Sequence, residues 1–102
     1  MPVNCLEDGK VLTAKIVGEV DHHAARGLME ELGRQIDGTL PRELRLDLSG
    51  VTFMDSSGIA VVLRSWKRMS QFGGSTTLCS VPIQSAKVLK AAGVDKLICF
   101  AD

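Results

Sequence analysis

The chain carries no surplus of charge: 12 lysines and arginines stand against 12 aspartates and glutamates. That balance excludes a nucleic-acid binder held by bulk charge and a polybasic membrane anchor. No apolar run approaches the roughly 20 residues a membrane-spanning helix needs. The N-terminus, Met1-Pro2-Val3-Asn4-Cys5, has no basic region followed by an apolar stretch, so no signal peptide is expected. Neither G-x-G-x-x-G nor G-x-x-x-x-G-K-[ST] occurs, which leaves nucleotide hydrolysis by the chain alone without support. The three cysteines, Cys5, Cys79 and Cys99, are odd in number and widely spaced. A disulfide framework or zinc site has little support, and buried free thiols are expected. Repeats, linkers and low-complexity segments are absent. A soluble protein in a reducing cytoplasm is the expectation.

What is present is enough core for one domain, 1–102, with 45% of residues apolar. Val3 to Leu6 reads as a short strand, and Glu7-Asp8-Gly9-Lys10 as a hairpin turn into a second strand over about Val11 to Val17, ended by Gly18-Glu19-Val20-Asp21. Asp21 stands where a helix N-cap belongs. Ala25, Leu28, Met29, Leu32 and Ile36 then mark a helix from about His22 to Ile36, closed by Gly38 and Pro41. Leu44, Leu46 and Leu48 alternate with Glu43, Arg45 and Asp47, the period of a half-buried strand, and Ser49-Gly50 breaks it.

From Ile59 the period becomes helical: Ile59, Val62, Leu63, Trp66 and Met69 form a stripe, with Gly73-Gly74 as the stop. Ser75 to Ser80 is the next strand. Pro82 fits the first turn of a helix with Ile83, Ala86 and Leu89 inside and Gly93 as its stop, and Lys96 to Phe100 is a last strand. The order β-β-α-β-α-β-α-β predicts an α/β domain: a mostly parallel open sheet with an N-terminal antiparallel hairpin. Because the Leu44–Leu48 strand alternates with charge, its helices are expected mainly on one face.

Between the alternating strand and the helical stripe lies Asp55-Ser56-Ser57-Gly58, small and polar at a helix N-terminus, where backbone N–H groups lack partners. The bland reading is that a serine hydroxyl caps the helix. The functional reading is phosphorylation, since a helix N-terminus tolerates phosphate and phosphate beside Asp55 would repel an acidic partner surface. A hydrolase nucleophile is disfavoured: Met54 stands at the first glycine position of a nucleophile elbow and no oxyanion-hole motif is evident. His22 and His23 point about 100° apart on a helix and cannot chelate one ion together. Their partners four residues on, Arg26 and Gly27, are not ligands, so no metal is expected. Arg64, Lys67 and Arg68 read as a solvated face or the basic rim of a docking surface.

Phe53-Met54-Asp55-Ser56-Ser57-Gly58-Ile59 together with Gly18-Glu19-Val20-Asp21-His22-His23 resembles the STAS family, most of all its anti-sigma-factor antagonists of sporulation and stress signalling. The resemblance covers essentially the whole chain in the same element order. It implies a non-enzymatic protein without cofactor, whose unphosphorylated form binds an anti-sigma factor that is also a GHKL-type serine kinase and so frees the sigma factor. It implies that the kinase phosphorylates Ser56, that the phosphorylated form lets go, and that a PP2C-type phosphatase restores it. The implied partner-binding set is Glu19, Asp21, His22, Asp55, Ser56, Ser57, Gly58, Ile59 and Arg64. Some antagonists carry an arginine seven residues after the motif glycine, where this chain has Ser65, with Arg64 one residue earlier. The family usually continues into a further C-terminal helix, where this sequence reaches Asp102; a homodimer partner is the alternative cover for the core. The competing expectation keeps the fold without the switch: a scaffold or small-ligand-binding subunit of a transport or stressosome-like assembly. Strand order and helix placement together predict Asp21 and Ser56 as neighbours on one exposed edge.

Overall fold

A computed structural model describes residues 3–101. Positions 1, 2 and 102, which the sequence pattern assigns to the same domain, lie outside the described residues. Strands β1 (Val3–Asp8) and β2 (Val11–Val20) form a hairpin through Gly9 at φ 62°, a left-handed turn conformation that glycine adopts without strain. Helix α1 (His22–Thr39), strand β3 (Glu43–Met54), helix α2 (Ser57–Gln71), strand β4 (Ser75–Cys79), helix α3 (Ile83–Ala91) and strand β5 (Cys99–Ala101) follow. The sheet order is β1-β2-β3-β4-β5, antiparallel for the first pair and parallel for the rest. Every crossover steps to the adjacent strand in one direction, so right-handed connections put all three helices on one face. Burial agrees. Leu12, Ala14, Ile16, Leu44, Leu46, Leu48 and Leu78 are buried, whereas Lys15, Val17 and the half-buried Thr13, Arg45 and Asp47 face the other way. The α/β architecture is the one the residue pattern predicts. No helix among the described residues is long and apolar enough to cross a membrane.

Several element boundaries depart from that pattern. Strand β2 runs on to Val20 and β3 to Met54, because Gly18 and Gly50 stay paired in the ladder, on Val51 and Val17, and β3 takes up its extra residues as bulges around Leu48-Ser49 and at Thr52. The β2–β3 register shifts between Lys15 and Val17 and again between Gly18 and Glu19. A Cβ on Gly50 would lie 3.0 Å from the Ile16 carbonyl oxygen, so glycine is there for close approach inside the strand. Helix α1 passes through Gly38. Its left-handed cap is Leu40 (φ 46°), whose N–H bonds the Ile36 carbonyl at 2.8 Å. Pro82 precedes α3 as its N-cap, and Ile83 is 79% exposed instead of inward; Ser85 and Leu89 are the buried residues of that helix. A single 3₁₀ turn, Val94–Lys96, displaces the last strand to Cys99–Ala101, because the chain turns to bury Val94 and Ile98 first. The thiols are free, but only Cys79 is buried; Cys5 is half-buried and Cys99 exposed on the edge strand.

The contact line of α2 is also rotated from the apolar stripe. Gly58, Val61, Val62, Ser65 and Met69 are buried, while Ile59, Leu63 and Trp66 are only partly covered. Small residues decide this, since they let backbones approach. A Cβ on Gly58 would fall 2.3 Å from Met54 Cγ, and Ser65 shares a crevice with Gly33 of α1. The two helices are stapled by Arg68, whose Nε and Nη2 donate to the carboxylate of Asp37 at 2.9 and 2.8 Å. The Arg68 guanidinium holds the Asp37 carboxyl below the usual aspartate range.

Candidate functional site at the strand ends

Strands β2 and β3 are parallel and end in register, Val20 against Met54. The ladder closes with one more bond, from the N–H of Asp55 to the carbonyl of Val20 at 3.1 Å. Asp21 and Asp55 therefore leave neighbouring strands side by side, at the usual strand spacing of about 4.8 Å. Each then opens a helix.

Asp21 is half-buried and extended (φ −111°, ψ −176°), and its Oδ1 accepts the N–H groups of His23 at 3.1 Å and Ala24 at 3.0 Å. This is the side-chain cap expected of it, satisfying two donors that the helix cannot. At α2 the division of labour differs from the expected one. Ser56 sits in helical conformation (φ −62°, ψ −19°) and its hydroxyl makes no capping bond. Asp55 takes that role, its Oδ1 accepting the N–H of Ser57 at 2.7 Å, while its carbonyl accepts the N–H of Gly58 at 3.0 Å. The Ser56 side chain is thus exposed and its hydroxyl is not spent on the fold.

Glu19 and His22 are exposed at the same edge, and Ser57 and Ile59 are half-buried beside Ser56, with Gly58 buried beneath. Glu19 is paired in register with Phe53, which is 45% exposed. The strand ends are consequently acidic, with Asp21 and Asp55 at the two helix starts and Glu19, beside the Phe53 ring, exposed on the sheet face away from the helices. Arg64 is not brought to it. Eight residues along α2 from Ser56 is about 12 Å of helix, and Arg64 lines a groove of about 490 Å³ between α1 and α2 with Arg26, Glu30, Arg34, Asp37 and Arg68. Ser65 is buried and donates its hydroxyl to the Val61 carbonyl at 3.1 Å, so position 65 offers no reach outward.

The rings of His22 and His23 come together at a tilt of 37°, centroids 4.0 Å apart. None of the hydrogen bonds among the described residues joins either histidine to Ser56. No three metal-ligating side chains among the described residues converge.

One residue at this corner escapes the sequence pattern. Gln84, in the first turn of α3, accepts the N–H of Met54 with Oε1 at 2.9 Å and donates from Nε2 to the Met54 carbonyl at 2.7 Å. Its periodicity gives no hint of this. The signal lies in strand length: β4 pairs β3 only as far as Asp47, so the rest of that edge of β3 needs partners from elsewhere.

Comparison with known proteins identifies the family and the fold. The model of the STAS domain matches residues 3–102. An anti-sigma F factor antagonist of Paenibacillus polymyxa is 30% identical over 92 residues, 90% of this chain and 79% of the relative. Among solved structures, the anti-sigma factor antagonist SpoIIAA in its unphosphorylated form superposes with a TM-score of 0.83 at 22% identity, covering 98% of this chain and 88% of that one. The phosphorylated form of the Bacillus cell fate determinant SpoIIAA gives 0.75 at 22% identity over 98% of this chain and 91% of that one. With its whole described length matched by one family model, the chain belongs to the STAS domain family.

Proposed function

We propose that the protein is a phospho-switched anti-sigma-factor antagonist that acts by binding, not by catalysis. The observation that carries this is the exposed Ser56 hydroxyl, freed from capping by Asp55 and set beside Asp21 on one corner. In the unmodified state the corner docks an anti-sigma factor that is also a GHKL-type serine kinase, and the sigma factor is released. Glu19, Asp21, His22, Asp55, Ser57, Gly58 and Ile59 surround Ser56 in the contact, with Arg64 reaching the partner along the α1–α2 groove. In the switching step Ser56 Oγ attacks the γ-phosphorus of ATP. An Oγ–P bond forms, the bond to the β–γ bridging oxygen breaks, ADP leaves, and the hydroxyl proton passes to the kinase or solvent. The phosphate adds about −1.5 to −2 charge to a corner already holding the Asp21 and Asp55 carboxylates. A helix N-terminus accommodates it, so the fold survives while the docking surface becomes more negative still and repels an acidic partner surface. A PP2C-type phosphatase then hydrolyses the ester and restores the serine, in the cytoplasm where both enzymes work.

The names of the relatives support this reading: one is an anti-sigma F factor antagonist, and SpoIIAA has been solved with and without phosphate. The test is incubation with the anti-sigma-factor kinase encoded in the source genome and ATP, followed by mass spectrometry. Phosphate on Ser56 is the expected result; phosphate elsewhere, or none, contradicts it. Unaltered partner cycling by a Ser56→Ala variant would favour the scaffold or ligand-binding alternative.

A further inference from the structure

We infer that Gln84 is a positioning residue for Ser56: it supplies, from a helix, the strand partner that β3 lacks where it presents the phosphoacceptor corner. The inference rests on the reading of Ser56 as acceptor. Strand β3 is 12 residues long, and its pairing with β4 ends at Asp47. At Met54, the last residue of β3, the Gln84 carboxamide accepts the N–H at 2.9 Å and donates to the carbonyl at 2.7 Å. That is the pair of bonds an opposed strand residue exchanges. Among side chains in their usual ionisation state near neutral pH, only a carboxamide carries donor and acceptor side by side in this way without a net charge. On the opposite edge, the next peptide is held by the Asp55 N–H to Val20 at 3.1 Å. Beneath, the Met54 side chain is buried in the space a Gly58 Cβ would need. The backbone leading into Ser56 is thereby fixed from both edges and from below, and the serine itself is left exposed. An acceptor hydroxyl held still spares the kinase the cost of ordering it, and small misplacements of a reacting group are costly in rate.

The test uses the full chain with Gln84→Ala and Gln84→Glu. Gln84 is exposed on a helix and alanine is the better helix former, so the fold holds. Amide hydrogen exchange at Met54, followed by NMR, should quicken about tenfold in Q84A, while amides in the middle of α1 and β2 stay protected. In Q84E the carboxylate has no hydrogen to give the Met54 carbonyl, so exchange there should also quicken. With the source genome's anti-sigma-factor kinase and ATP, kcat for Ser56 phosphorylation should fall about tenfold in Q84A with KM for the chain changed less. Unchanged Met54 exchange overturns the clamp. Quickened exchange with an unchanged phosphorylation rate overturns its role in positioning and leaves the proposed function standing. A wild-type chain that takes no phosphate on Ser56 overturns the proposed function itself, and the exchange result then decides the clamp alone.

Discussion

The carbonyl of Val20 accepts the N–H of Asp55 at 3.1 Å. This single bond joins two corners that lie 34 residues apart between Asp21 and Asp55 in the chain. With the Val20–Met54 pairing before it, it makes the first acid of one helix start the neighbour of the first acid of the next.

Asp21 has a structural role and a proposed functional one, and two substitutions separate them. Asp21→Ala removes the acceptor of the His23 and Ala24 N–H groups and should cost about 1 kcal/mol in urea denaturation. Asp21→Asn keeps an oxygen for the cap and should stay within a few tenths of a kcal/mol of wild type. If partner affinity nevertheless changes in Asp21→Asn, the charge itself is read at the interface.

Gly58 and Gly27 should respond oppositely to alanine. A Cβ on Gly58 meets Met54 Cγ and Sδ at 2.3 and 2.6 Å, inside a filled core, so Gly58→Ala should destabilise by about 1–3 kcal/mol. A Cβ on Gly27 meets nothing within 4 Å on an exposed turn of α1, so Gly27→Ala should stabilise by about 0.5–1 kcal/mol. Thermal unfolding of the two variants checks both signs.

The Asp37–Arg68 staple makes stability fall in acid. Arg68 lowers the Asp37 carboxyl in the folded chain, so between the two states' values the unfolded chain binds more protons and stability rises with pH. The contribution is complete above the ordinary aspartate value of about 4 and is lost as pH falls through the lower folded value. Asp37→Asn should flatten that part of the acid limb in chemical denaturation followed against pH. An unchanged limb would mean the exposed pair is silent.

The hairpin at Asp8-Gly9, the Asp21 cap and the strand-to-helix change around Asp55 were legible because each rests on local chemistry: a turn glycine, an N-cap oxygen, a switch of period. The ends of β2 and β3 were not, because Gly18 and Gly50 look the same beside a bulge in a continuing ladder as in a break until the facing strand is known. The inward face of α2 misled for a related reason. Close packing on Met54 and against α1 selects Gly58 and Ser65, which an apolar stripe cannot reveal. The capping oxygen at α2 belongs to Asp55 and not to Ser56, a choice between adjacent residues that only the backbone angles decide. Gln84 was invisible in the periodicity of its own helix, since its partner is 30 residues away and its bonds go to backbone.

The central claim is that phosphate on Ser56 breaks a contact made by the unmodified corner. The most direct measurement is the affinity of unmodified and Ser56-phosphorylated chains for the same anti-sigma-factor kinase by titration calorimetry. A loss of about tenfold to over a hundredfold on phosphorylation, ~1–3 kcal/mol, is the predicted result. Equal affinity of the two forms would contradict it.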